Sequence, residues 1–132
     1  MKMQMLNQRK ILLIGCLFGG LSVALGAFGA HALKEILVKN NRADTFEVAV
    51  RYQFFHALML IMLSLLMDKF KSNAIKTSAA FIIAGVLLFS GSLYLMALFN
   101  TTQVALLTPL GGVSLLVGWG LLTYSVWIQR HY

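Results

Sequence analysis

A small number of polar side chains stand within otherwise apolar stretches of this chain, and they are its best candidates for chemistry. Imidazole, guanidinium, amide and hydroxyl groups can hydrogen-bond a ligand or bond one another. A polar group left without a partner in apolar surroundings costs several kcal/mol, so each of these residues needs either an internal partner or a ligand. The candidate ligand-binding residues are His31, Arg51, Gln53, His56, Ser90, Ser92, Tyr94 and Thr108.

The spacing of these residues predicts how some of them face. Gln53 and His56 are three residues apart and would share one face of a helix, whereas Arg51 points elsewhere. We expect Gln53 and His56 to face the other helices together with His31 and the two serine hydroxyls. Arg51 would then reach the lipid headgroups or pair with Glu47, four residues earlier.

The same residues argue against several chemistries. His31 and His56 have no third ligand at metal-binding spacing, which is a weak metal signal. The sequence has no phosphate-binding loop, no dinucleotide fingerprint and no HExxH motif. We therefore expect no catalytic residues, no cofactor and no metal, and a protein that is not an enzyme. The alternatives for the polar residues are, in order of preference, hydrogen bonding between helices, a ligand pocket, catalysis and a metal site.

The segments that carry these residues are long and apolar. Hydrophobic residues make up 59% of the chain and charged residues 11%, against about 45–50% and about 25% in soluble domains. No Asp, Glu, Lys or Arg occurs between Lys76 and Arg130. A helix needs about 20 apolar residues to cross the hydrocarbon core, and four segments qualify. The sequence predicts an all-α, integral membrane four-helix bundle, a single transmembrane domain over residues 1–132 with spans near 11–33, 46–67, 77–99 and 109–128.

Local signals predict the helix ends and the orientation. The first apolar run continues to Leu33, which favours a span over a cleaved leader. Asp44 with Glu47 is typical of a capping box, and Thr108 before Pro109 is typical of an N-cap. Lys and Arg favour the cytoplasmic side. Seven of them, against three, lie on the side of the two termini, which predicts N-in, C-in; the seven are Lys2, Arg9, Lys10, Lys69, Lys71, Lys76 and Arg130.

Small residues recur at helical spacing in two of the spans. Small side chains let helix backbones approach closely in lipid. These positions predict packing within the bundle, or a seam between copies of the chain. The helix-packing candidates are Gly15, Gly19, Ser22, Gly26 and Gly29 in the first span, with Gly111 and Gly118 in the fourth.

Four sequence blocks resemble those of a known family. They are GAFGAHAL at 26–33, YQ at 52–53 with HAL at 56–58, LFSGSLY at 88–94, and TPLGG at 108–112 with GW at 118–119. In this order they resemble the bacterial membrane family called domain of unknown function 423, which is similar to the eukaryotic transmembrane protein 256. The resemblance implies a multi-pass protein of the bacterial plasma membrane, and it implies no activity.

The functional hypothesis follows from where the polar residues lie. Depth along each span places them in the leaflet opposite the cytoplasm. We expect a protein that binds a lipid headgroup, an amphiphile or a membrane-protein partner there, with Arg51 offering charge to a phosphate. The alternative is an oligomeric channel or carrier for a small solute. Membrane lipid, a second copy or another membrane protein are the expected partners. Nucleic acid is not expected, because the basic residues lie between apolar runs.

Overall fold

Five helices account for most of residues 2–129, the part of the chain that the computed structural model describes, with side chains from residue 8 onward. Arg130 and the side chain of Lys2, used above for the orientation, lie outside these residues. The helices are α1 (Lys2–Ala30), α2 (Lys34–Lys39), α3 (Ala43–Leu66), α4 (Asn73–Phe99) and α5 (Leu107–Ile128).

Four of the helices are long and apolar enough to cross a membrane. These spans are Gln8–Ala30, Ala43–Leu66, Asn73–Phe99 and Leu107–Ile128. No strand occurs between residues 2 and 129. The predicted all-α membrane class is therefore confirmed, and the N-in, C-in orientation stays a prediction.

The short helix α2 was not predicted from the sequence. Its Leu37 is buried against Phe46 and Ala97. Just after it, the Asn40 side-chain amide donates to the carbonyl oxygens of Ala97 at 3.0 Å and Leu98 at 3.3 Å. These bonds satisfy carbonyl groups in the last turn of α4, which have no partners within that helix. The first connection is therefore a packed element fixed to the end of α4.

The predicted capping box at the start of α3 is wrong. The helix begins at Ala43, one residue before Asp44, and its N-cap Arg42 makes no side-chain capping bond. Asn41 takes a left-handed conformation with φ of 53° and turns the chain before the helix begins. Asp44 therefore lies inside the first turn, and Glu47 bonds Arg51 instead of the helix terminus.

The predicted cap of the last helix is also wrong. Successive turns bring the chain into α5 at Leu107, through bonds such as Leu107 N–H to Val104 O at 3.0 Å. The helix thus begins before Thr108. The Thr108 hydroxyl is therefore free to bond a side chain of α4 instead of a backbone amide of its own helix.

The long helices pack in the order α1, α3, α4, α5. Antiparallel neighbours meet closely at glycine: a Cβ on Gly15 would lie 3.0 Å from Ile61, and one on Gly118 would lie 2.5 Å from Ile82. Over the described residues α1 and α5 do not pack closely on each other. The bundle is therefore an open row, with α1 and α5 each packed mainly on one neighbour.

Gly111 supplies a direct test of this packing. A Cβ on Gly111 would overlap the backbone nitrogen of Phe89 and lie 2.8 Å from its Cα. Gly111→Ala must therefore push α5 from α4, and we expect a loss of about 1–3 kcal/mol in the free energy of unfolding. Thermal unfolding in detergent measures this. The matched control is Gly120→Ala, whose Cβ meets nothing within 4 Å. Equal stability of both variants would contradict the packing.

The orientation has its own test. Lys39 on α2 and Lys71 before α4 are both exposed, at opposite ends of the bundle. In a chain whose Cys16 is replaced by serine, we expect Lys39→Cys to react with a membrane-impermeant thiol reagent added outside intact cells. Lys71→Cys should react only after the membrane is opened. The reverse pattern would place the N-terminus outside.

Candidate functional site

Gln53 joins three helices near the middle of the bundle. The residue is 5% exposed. Its amide nitrogen donates to the Phe18 carbonyl of α1 at 2.9 Å, and its amide oxygen accepts from the Tyr94 hydroxyl of α4 at 2.7 Å. Both ends of the amide are therefore bonded to neighbouring helices.

His56 uses both nitrogens of its ring. Nδ1 lies 2.7 Å from the carbonyl oxygen of Tyr52, and the indole N–H of Trp119 donates to Nε2 at 3.2 Å. An indole N–H can only donate, and a carbonyl can only accept. The neutral ring with its proton on Nδ1 satisfies both contacts. His56 thereby connects α3 to α5, two helices that are not adjacent in the row.

The hydroxyl groups of the predicted site also have hydrogen-bond partners within the protein. Ser90 donates to the Ala49 carbonyl of α3 at 2.8 Å. Ser92 Oγ donates to Phe89 O at 2.9 Å and lies 2.6 Å from Thr108 Oγ1 on α5. Among the described residues, no buried side-chain nitrogen or oxygen is left without a partner. We call this set the internal polar network: Gln53, His56, Ser90, Ser92, Tyr94, Thr108 and Trp119.

Two of the eight predicted residues lie outside this network. His31 follows the end of α1, is exposed, and makes no side-chain hydrogen bond to another described residue. The expectation that it faces the other helices is wrong, because α1 ends at Ala30 and the chain turns there. Arg51 pairs with Glu47 as expected, with Nη2 2.8 Å from Oε1 and the two side chains 54% and 66% exposed.

The small residues predicted to pack helices lie between adjacent helices. On α1, Gly19 would place a Cβ 3.8 Å from Ala57, and Gly26 would place one 3.4 Å from Val50. Gly29 faces the ring of Phe46. Ser22 is buried, and its hydroxyl donates to the Phe18 carbonyl at 2.7 Å. Gly15 on α1, and Gly111 and Gly118 on α5, make the closer contacts described above.

A cavity separate from the internal polar network lies between α1, α2 and α3. It has a volume of about 520 Å³ and carries two charged side chains, Lys34 and Glu47, on otherwise small or apolar walls. A second hollow of about 360 Å³ continues it along α3 and shares Glu47 and Val50 with it. Arg51 lines this second part. We call the two together the α1–α3 groove; its walls are Ser22, Val23, Gly26, Gly29, Ala30, Lys34, Leu37, Val38, Ala43, Phe46, Glu47, Val50, Arg51 and Phe54.

Sequence reasoning found only part of this groove. Arg51 is the one predicted ligand-binding residue among the groove walls; Gly26 and Gly29 are predicted only as helix-packing positions, and Lys34 is not among the predicted site residues. Trp119 was also missed, because an apolar residue with one donor gives no polar signal in a span. Helix α2 itself has only six residues, too few for a helical period to be visible in the sequence.

The groove offers charge of both signs on an apolar surface. Lys34 and Arg51 can donate hydrogen bonds to an anion, and Glu47 can accept from a cation. The described residues contain no group of three His, Cys, Asp or Glu side chains that could hold a metal ion. Charged and apolar side chains therefore line the same groove.

Fold and site together define a multi-pass helical membrane protein with a charged groove at one end. The profile of the family "Protein of unknown function (DUF423)" matches residues 25–112. The chain belongs to this family, and it is a multi-pass protein of the bacterial cell membrane. No match was found among solved structures.

Curated relatives agree with this assignment. The chain is 36% identical over 109 residues to the UPF0382 membrane protein YwdK of Bacillus subtilis, covering 82% of this chain and 88% of the relative. It is 38% identical over 117 residues to the UPF0382 inner membrane protein YgdD of Escherichia coli, covering 89% and 88%. A UPF0382 membrane protein of Haemophilus influenzae is 37% identical over 120 residues, covering 89% and 94%. The channel or carrier alternative and the non-enzymatic expectation stay predictions.

The bond between Gln53 and Tyr94 can be measured with a double-mutant cycle. We expect the unfolding free energies of Gln53→Leu, Tyr94→Phe and the double variant to give a coupling of about 0.6–2 kcal/mol, as found for interhelical bonds in lipid. Unfolding in mixed detergent micelles supplies the values. The control cycle pairs Gln53→Leu with Ser78→Ala, whose hydroxyl bonds Gly118 instead; these two changes should be additive. Additivity in the first cycle as well would contradict the bond.

Proposed function

We propose that this protein binds a membrane amphiphile through its polar headgroup, in the α1–α3 groove. One observation carries the proposal: charged side chains line the cavity between α1, α2 and α3, on walls that are otherwise small or apolar. The internal polar network has all of its buried donors and acceptors bonded to protein. The groove therefore suits a ligand better than the network does, and the sequence hypothesis moves from the full set of eight residues to Arg51 and its neighbours.

The position of the groove along the helices suits a headgroup. The span Ala43–Leu66 has 24 residues, and about 20 are needed to cross the hydrocarbon. Counting back from Leu66 puts the hydrocarbon boundary near Glu47. Arg51 lies about one turn deeper and can extend its guanidinium towards the headgroups. With the N-in, C-in orientation, this boundary belongs to the extracytoplasmic leaflet.

The apolar walls of the groove suit the acyl part of the same molecule. Val50 and Phe54 continue from the charged end along α3, and Gly26 and Gly29 contribute to the wall on α1. An acyl chain gains no hydrophobic free energy by leaving lipid for such a wall, because both are apolar. Specific binding must therefore come from the headgroup contacts, with Lys34, Glu47 and Arg51 as the deciding residues.

A matched pair of lysines tests the proposal. Lys34 lines the groove, whereas Lys39, on the same short helix, does not. We expect protein purified in a mild detergent to keep bound phospholipid, and native mass spectrometry to show that Lys34→Ala lowers the lipid-bound fraction severalfold. Lys39→Ala should leave that fraction unchanged, because it removes the same charge outside the groove.

Two results would contradict the proposal. Equal lipid retention in Lys34→Ala and Lys39→Ala would show that any bound lipid is held outside the groove. A larger loss in His56→Leu than in Lys34→Ala, at unchanged secondary structure, would return the site to the internal polar network.

A further inference from the structure

The α1–α3 groove carries charges of both signs, and this narrows the class of headgroup. Resting on the proposed function, we infer that the groove selects phospholipids whose headgroup combines an anionic phosphate with a primary ammonium group, as in phosphatidylethanolamine. Lys34 and Glu47 line one cavity, and Arg51 and Glu47 line its continuation. Glu47 thus shares one cavity with Lys34 and the other with Arg51.

The phosphate is assigned to the two cations. Arg51 bonds Glu47 through a single contact, Nη2 to Oε1 at 2.8 Å, and its side chain is 54% exposed. A guanidinium has five N–H donors, so further donors of Arg51 are open to a second acceptor. The Lys34 ammonium adds a second positive charge from α2. Charge-assisted bonds of this kind are the strong ones in recognition of phosphate.

The primary ammonium is assigned to Glu47. Its Oε1 accepts from Arg51, and its side chain is 66% exposed, so Oε2 is available to another donor. A primary ammonium carries three N–H donors that can reach this oxygen, as a lysine would. A trimethylated ammonium has none, and a glycerol headgroup has hydroxyl donors without the charge. Glu47 therefore distinguishes ethanolamine from choline by hydrogen bonding, and from glycerol by charge.

The Glu47 carboxylate also explains why a purely anionic lipid is not favoured. A phosphate without an amine would meet Lys34 and Arg51, but it would bring a second negative charge close to Glu47 and leave the open Oε2 without a donor. Like charges at close range disfavour binding. Removing the Glu47 charge should then have a defined effect: it weakens binding of the ethanolamine lipid and strengthens binding of the glycerol lipid.

The test uses lipid nanodiscs with equal parts of phosphatidylethanolamine, phosphatidylglycerol and phosphatidylcholine of identical acyl chains. Protein is released from the nanodiscs, and native mass spectrometry identifies the lipid that stays bound. We expect the ethanolamine lipid to be enriched about threefold to tenfold over each of the others, the scale of one additional charge-assisted bond at a half-exposed site. Glu47→Gln should lose this enrichment over phosphatidylglycerol.

The control is Asp44→Asn, which removes an exposed carboxylate three residues earlier on α3, outside the groove walls. It should keep the native preference. Bound lipid with no ethanolamine preference, or a preference that survives in Glu47→Gln, would overturn the inference and leave the proposed function standing. No retained lipid of any class, in native protein and in every variant, would overturn both.

Discussion

Water is absent from the hydrocarbon core, so every polar group between these helices must find its partner within the protein. The described residues meet this requirement completely for buried side chains. Gln53 joins α1, α3 and α4, and His56 joins α3 to α5 through the indole of Trp119. In an open row of helices these bonds connect α3 to α4 and α5 near the middle of the bundle, whereas Asn40 fixes the end of α2 to the end of α4.

The same requirement separates the polar residues into two kinds. Those in the internal polar network already bond other groups of the protein, on neighbouring helices or on their own helix. Arg51 and Glu47 bond only each other, and both remain more than half exposed beside a cavity that Lys34 also lines. A ligand needs groups that are both accessible and incompletely bonded. Side chains that face a neighbouring helix stabilise the bundle, and those that face the groove are available to a ligand.

Much of this arrangement was predictable from the sequence, because hydropathy and small-residue spacing are strong signals in membrane helices. The four spans follow from the length of the apolar runs. The inward face of Gln53 and His56 and the Arg51–Glu47 pair follow from helical spacing. The helix caps did not, because the left-handed Asn41 and the turns before Leu107 moved both helix starts by one residue or more. Helix α2 is too short for a periodic signal. The groove that α2 completes, with Lys34 in its wall, could not be predicted for the same reason.

The central claim is that bound lipid lies in the α1–α3 groove and not beside the internal polar network. The most direct measurement uses a phospholipid with a photoreactive diazirine near its headgroup, cross-linked to the protein in a bilayer and mapped by peptide mass spectrometry. The account predicts adducts concentrated on residues 26–54, at the end of α1, on α2 and at the start of α3. Adducts spread evenly over the lipid-facing surface, or concentrated beside Trp119 and Trp127 on α5, would contradict it.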